Sequence, residues 1–313
     1  MTKPGPSADQ ERAAGTAYGF GAYLMWGFLP LYFVWLAPTG PWEVVALRVL
    51  LSLVVCAVLL TVLRGWGRLV AVLRRPRLLL WTAIAGILIY VNWQVFLIAA
   101  QTGHVIESSL GYFINPITTV LLAVLVLREK VRPAQWAAIG IAAVAVIVIV
   151  VAYGAVPWIS LLLTASFGAY GLVKNRIGGV VDAVSGLAIE TMWLTPVAIV
   201  QLVVVGATTG LTYGTVGPGH TVALSLAGVA TATPLLLFAA GARRVSLTTI
   251  GLLQFITPIL QLLVGVLLLH EPMPVERWIG FGIIWVALIV LTADMVRHTR
   301  SSLRIRRTTR DPQ

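Results

Sequence analysis

Apolar stretches of about 20 residues, the length that crosses roughly 30 Å of hydrocarbon, can be laid along this chain ten times. They fall near 16–36, 43–63, 78–101, 105–127, 134–153, 158–176, 184–206, 221–242, 247–269 and 275–295. Of the 313 residues 59% are hydrophobic and only 11% charged, with a mean hydropathy of +0.94. A soluble domain is about half apolar and a quarter charged, so no water-surrounded core holds this excess. The pattern predicts an all-α membrane protein with ten transmembrane helices. Polar residues precede the first stretch and no small-residue cleavage site follows it, so it is read as a retained helix and not a removable signal peptide.

The net charge of +11 would suit a nucleic-acid partner, but its placement argues otherwise. Of the 22 Lys and Arg, all but Arg48 and Arg277 fall in the N-terminal segment, in or at the border of the even-numbered loops, or in the C-terminal tail. Arg64, Arg68, Arg74, Arg75 and Arg77 occupy the second loop, and Arg243 and Arg244 the eighth. By the positive-inside rule both termini are cytoplasmic. The basic tail from Arg297 to Arg310 reads as an anchor on anionic lipids at the cytoplasmic face, with no nucleic-acid role. The single cysteine, Cys56, lies inside an apolar stretch and suggests a packing residue, not thiol chemistry.

The chain repeats itself. At an offset of 142 residues Phe113, Ile114, Pro116, Ile117, Glu129, Trp136 and Gly140 meet Phe255, Ile256, Pro258, Ile259, Glu271, Trp278 and Gly282, and Ala85–Gly86 meets Ala227–Gly228. "GAY" recurs at Gly21 and Gly168 at a slightly different offset. The expected organisation is a segment 1–15, a five-helix repeat 16–153, a second five-helix repeat 154–296 and a basic tail 297–313. Five is odd, so the second repeat enters the membrane inverted. Arg128, Glu129, Lys130 and Arg132 become His270, Glu271, Glu276 and Arg277, and the basic excess is gone from the loop that faces outward. Inverted repeats of this kind characterise secondary transporters with a solute site near mid-membrane.

Two prolines sit at equivalent places within these spans. Pro116 lacks an amide hydrogen and frees the carbonyl of Tyr112, and Pro258 does the same for Gln254. In hydrocarbon a freed carbonyl persists only where protein or a watery cavity satisfies it. Both prolines are therefore expected to break their helices beside such a cavity; the alternative is that they only shape packing.

Several stretches resemble the drug/metabolite transporter superfamily, its EamA-domain proteins and most closely the RarD branch. They are "AYLMWGFLPLYF" from Ala22, "NWQVF" from Asn92, "ESSLGYFINP" from Glu107, "SFGAYGLVK" from Ser166, "IET" from Ile189 and "FGIIWVAL" from Phe281, and they cover nearly the whole chain. The resemblance implies a ten-helix basket of two inverted EamA repeats in a bacterial cytoplasmic membrane. Relatives in that superfamily export amino acids, other metabolites or drugs, and the RarD branch is described through chloramphenicol sensitivity.

Arg48 stands out, since it falls about six residues into the second span, roughly 9 Å deep at 1.5 Å per residue. A charge at that depth is costly and usually functional. Glu43, Glu107 or an anionic group of a solute could be its partner. Glu190 is its repeat counterpart, near the opposite face with no cation expected at its depth, so Glu190 and Glu107 are the proton-coupling candidates; a neutral structural carboxyl is the other reading of Glu190. Asn92, Trp93, Gln94, Tyr112, Asn115, Gln254, Thr257 and Gln261 put further polar groups inside spans. Gln254, Thr257 and Gln261 share a helix face and read as cavity lining or as interhelical hydrogen bonds. Trp93, Tyr112, Asn115 and Gln254 join Arg48 as expected solute-binding residues. Tyr23 and Trp26 could equally line a pocket or face lipid. Glu129, Glu271 and Asp294, at span ends, suit structural roles.

The rival classes are a channel and an intramembrane enzyme. "HEPMPVE" at His270 lacks the second His of a zinc helix and has Pro272 where the helix should run. No nucleophile elbow, Cys/His cluster or phosphate loop occurs, so no cofactor or metal is expected. The reading is a secondary transporter that exports small amphipathic metabolites or drugs by alternating access.

Overall fold

A computed structural model describes residues 8–128, 132–154, 156–242, 244–245 and 247–308. Glu129 and Lys130, singled out in the sequence, lie outside these residues, as do Arg243, Arg310 and the first seven residues. The first half comprises α1 (Ala8–Trp35), α2 (Pro41–Val62), a short α3 (Trp66–Leu73), α4 (Pro76–Gln101), α5 (Val105–Leu127) and α6 (Pro133–Tyr153). The second comprises α7 (Trp158–Ile177), α8 (Ala183–Thr208), α9 (Pro218–Ser225), α10 (Ala227–Ala242), α11 (Leu247–Leu253), α12 (Ile256–Leu263) and α13 (Val275–Thr308). Among the described residues there is no strand.

Proline opens α2, α4, α6 and α9, where its missing amide costs nothing and its fixed φ suits the first turn. Among the described residues nine helical spans are long and apolar enough to cross a membrane. The one expected span outside that set is the sixth, which forms α7, a 20-residue helix. Its Ser160, Thr164, Ser166, Tyr170, Lys174, Asn175 and Arg176 dilute its hydropathy. The eighth expected span is divided into α9 and α10, and α1 begins at Ala8 instead of residue 16.

The prolines behave unequally. Pro116 sits inside a continuous α5, so the expected break at that position is absent. In the second half the helix does break, at Gln254–Phe255 between α11 and α12, and α12 ends in a π-helical turn over Val264–Leu268. That turn carries the chain to Glu271, whose amide donates to the Gly265 carbonyl at 2.9 Å.

Helices of one half pack mainly on helices of the other. The pairs are α2 on α8, α6 on α13 and α5 on α12; α5 and α4 pack on α7, while α12 and α10 pack on α1. The Gln201 amide of α8 donates to the Trp42 carbonyl of α2 at 2.8 Å, so the last part of α8 lies beside the first turn of α2 and the two run antiparallel. Small residues allow the closest approaches. A Cβ at Gly228 would lie 2.5 Å from the Leu51 carbonyl carbon, and one at Gly111 2.8 Å from the Ser160 carbonyl oxygen. Without a hydrophobic drive between helices in lipid, such contacts and interhelical hydrogen bonds hold the bundle together.

Gly228→Ala and Gly111→Ala should each destabilise the detergent-solubilised protein by about 1–3 kcal/mol, because backbone blocks the new methyl. Gly140 and Gly282 face open space, and Ala there should be neutral or stabilising by up to ~1 kcal/mol. Thermal unfolding of the four variants checks the contrast.

Candidate functional site

Hydrocarbon offers no hydrogen bonds, so each polar group in the bundle must find a protein partner or be left without one. Most embedded carboxylates turn out to hold backbone amides. Both Glu43 oxygens accept from the Thr212 amide, at 2.9 and 3.0 Å, and one also accepts from the Tyr213 amide at 2.8 Å. Glu271 accepts from the Val105 and Ile106 amides at 2.7 and 2.9 Å, and Glu107 from the Ile159 amide at 3.0 Å. Glu271 and Glu107 thereby serve the first turns of α5 and α7, where unsatisfied amides and the positive end of the helix dipole meet a negative charge. The structural role expected of Glu271 is thus a helix cap. Asp294 pairs with Arg132, Nε to Oδ2 at 2.8 Å.

Neither Glu43 nor Glu107 therefore pairs with Arg48. Arg48 is only 4% exposed, and its Nε donates to Thr231 Oγ1 of α10 at 2.7 Å. Its guanidinium lies 4.2 Å from the Trp93 ring centroid and 5.4 Å from that of Phe33. A desolvated cation over an aromatic face gains about 2 kcal/mol or more, which partly offsets the cost of burying it. Nη1 remains buried with no acceptor among the described residues. Helices α1, α2, α4 and α10 thus converge on one donor that no described residue satisfies.

An aromatic chain leads away from this point. Ring centroids of Phe33 and Phe96 are 6.1 Å apart, Phe96 and Tyr112 5.9 Å, Tyr112 and Phe167 6.0 Å, and Phe167 and Tyr170 6.1 Å, the first three pairs edge to face. Tyr112 donates to Asn92 Oδ1 at 3.3 Å, and Asn92 donates to the Leu163 carbonyl at 3.2 Å. Of the expected solute-binding residues, Arg48 and Trp93 are thus in contact, with Tyr112 one ring beyond Phe96. Asn115 sits one turn further along α5 with Oδ1 buried and unpartnered. Gln254 lies half-buried at the break between α11 and α12. Its companions in the polar stripe bridge helices: Thr257 donates to the Tyr23 carbonyl at 2.8 Å and Gln261 to the Trp26 carbonyl at 3.3 Å. Ser109 donates to the Pro258 carbonyl at 2.7 Å, tying α5 to the broken segment.

The chain of rings ends at Glu190. This carboxylate, 1% exposed, accepts from Lys174 Nζ at 2.7 Å and from the Tyr170 hydroxyl at 3.2 Å. The expectation that no cation shares its depth is therefore wrong. Lys174 falls at the end of α7, where the sequence placed it with the loop residues, yet its long stem reaches back along the helix. Tyr170 and Lys174 stand four apart in "SFGAYGLVK", one above the other on a helix face, and that spacing was the available signal. Thr231 and Phe33, which complete the Arg48 site, carried no signal of their own.

Lys174→Met should cost up to about 3–5 kcal/mol by stranding a buried carboxylate, toward the low end because Lys174 keeps 28% of its side-chain exposure. Glu190→Gln should cost less, and the double variant should recover much of the single-variant loss. Thermal unfolding of the four proteins measures that coupling.

Comparison with known proteins agrees with this architecture. The sequence pattern of the EamA-like transporter family matches residues 13–151. The RarD protein of Streptomyces exfoliatus is 44% identical over 94% of this chain and 93% of its own length. An uncharacterized transporter of Bacillus subtilis, YojE, is 38% identical over 93% of this chain and 98% of its own. The RarD protein of Escherichia coli K12 is 35% identical over 94% and 98%. A crystal structure superposes with a TM-score of 0.57 at 21% identity, covering 89% of this chain and 97% of that one; it speaks to the fold alone. By its sequence over almost its whole length, this multi-pass membrane protein belongs to the RarD branch of the EamA-like transporters.

Proposed function

We propose that the protein is a secondary transporter that moves small amphipathic solutes by alternating access, in the direction of export, with its solute site at Arg48. The observation that carries this reading is the buried Arg48 guanidinium with Nη1 left unpartnered beside Trp93 and Phe33. An intramembrane charge that the protein does not neutralise is a place for a solute group.

The packing of the helices supports two inverted five-helix repeats. Exchanging the halves maps α5 on α7 to α12 on α1, α4 on α7 to α10 on α1, and α2 on α8 and α6 on α13 onto themselves. Alternating access follows if the paired bundles rock about that pseudo-twofold axis. The distribution of Lys and Arg supports placing both termini on the cytoplasmic side of a bacterial inner membrane, with the basic tail on anionic lipids. Proton coupling, as part of this reading, falls to Glu107. Lys174 forms a 2.7 Å ion pair with Glu190, whereas Glu107 is hydrogen-bonded to a backbone amide and borders a surface crevice lined also by Leu110, Pro157, Phe281 and the basic Arg277.

Counterflow in liposomes containing the purified protein tests the reading, with amino acids, aromatic carboxylates, aromatic amines and chloramphenicol as solutes. Saturable exchange stimulated by solute on the far side is expected, and Arg48→Ala should slow it at least about tenfold, the loss of one charge-assisted contact. Unsaturable leakage of unrelated ions would favour a channel instead. Glu107→Gln should keep exchange but abolish its acceleration by a pH gradient.

A further inference from the structure

We infer that the site at Arg48 takes organic anions that carry a single carboxylate and no ammonium group, on an apolar and preferably aromatic body. This rests on reading Arg48 as the solute site and deepens it. Arg48 contributes one positive charge, and its only hydrogen-bonding partner among the described residues is the neutral Thr231 hydroxyl. Each acidic group embedded in the described bundle is already engaged elsewhere. Glu43 holds the Thr212 and Tyr213 amides, Glu107 the Ile159 amide, and Glu271 the Val105 and Ile106 amides. Glu190 holds Lys174, and Asp294 holds Arg132. None of these embedded carboxylates forms an ion pair with Arg48.

A solute carboxylate meets both needs at once. It supplies the acceptor that Nη1 lacks, and it cancels a charge that the surrounding rings and the Thr231 hydroxyl compensate only in part. A zwitterion would bring the same carboxylate with an ammonium two bonds away, close to Arg48 and facing like charge. The usual aromatic refuge for an ammonium is also taken, because Arg48 itself occupies the Trp93 face at 4.2 Å. A cationic amine lacks even the favourable half. The neighbouring Phe33, Phe96 and Tyr112 rings offer an apolar wall but no charge, and that favours an aromatic body.

Three probes with the same phenyl body separate the possibilities: 3-phenylpropanoate, L-phenylalanine and 2-phenylethylamine. Binding to the full chain in detergent is read as a saturable rise in the thermal unfolding midpoint, since a ligand that binds only the folded state stabilises it. The carboxylate should raise the midpoint at millimolar concentration, with an affinity at least about tenfold above those of the other two. Arg48→Gln should remove the response. Arg48→Lys, which keeps the charge should the Gln variant fail to fold, should weaken the response while preserving the order of the probes. Equal or stronger binding of phenylalanine or phenylethylamine overturns the inference, and so does a carboxylate response that survives Arg48→Gln or no response to any probe. Counterflow with the same compounds separates the two readings. Binding of the carboxylate that depends on Arg48 but gives no exchange keeps this inference and sinks the carrier; exchange of the amine alone keeps the carrier and sinks this inference.

Discussion

The absence of water from the membrane interior governs where this chain can put its charges. A helix that starts in or near hydrocarbon exposes amides that nothing but protein can satisfy. Glu271 and Glu107 meet that need for α5 and α7, and Glu43 meets it for the loop at Thr212–Tyr213. Each of these bonds also joins segments distant in sequence: Glu271 reaches α5 from beyond the π-helical turn, and Glu43 crosses from α2 to the loop after α8. The carboxylates are thus both caps and cross-links, and the bundle closes around them.

Against that background the Arg48 site is the exception. Its environment is made of rings and one hydroxyl, and its charge is held by induced and quadrupolar attraction instead of an ion pair. At the other end of the aromatic chain the same kind of cost is met in the opposite way, with Glu190 paired to Lys174 and hydrogen-bonded by Tyr170. The two poles fall at equivalent positions in α2 and α8, 142 residues apart. In an antiparallel pair such positions lie toward opposite membrane faces. One pole is neutral as built and the other is not, so these two equivalent positions sit in different electrostatic environments.

What the sequence revealed follows from the reach of each signal. Spans and the repeat are patterns over about 20 residues or more, and they survive errors of a turn at either end. The broad architecture was therefore legible, although α7 carries too many polar groups to qualify by hydropathy and α9 breaks from α10. Arg48 was legible because one charge in an apolar run has few explanations. Its partner was not, because the choice among Glu43, Glu107 and a solute depends on which amides each carboxylate caps, and that is a tertiary fact. Lys174 was misplaced for a similar reason: a chain position near a span end does not say where a flexible four-carbon stem delivers its ammonium. Pro116 shows a third kind of failure. The missing hydrogen bond is certain from the residue, but whether the helix breaks or merely tolerates the loss depends on the neighbours that hold it straight.

The difference between the two proline-bearing helices bears on how the molecule would move. Helix α5 passes through Pro116 unbroken and is packed on α7 with Gly111 against the Ser160 backbone, which leaves little room to bend. The equivalent segment of the second half is divided at Gln254–Phe255 and closes in a π-helical turn, and π-helical turns recur at functional sites. Its backbone is already interrupted at both ends of α12, while Thr257 and Gln261 tie α12 itself to α1. A rocking motion would therefore be absorbed at those two interruptions, while α12 itself stays joined to α1 through Thr257 and Gln261 and to α5 through Ser109. In the carrier proposed above, this asymmetry would give one stiff hinge and one soft one, and the soft hinge would lie in the half that does not contain Arg48.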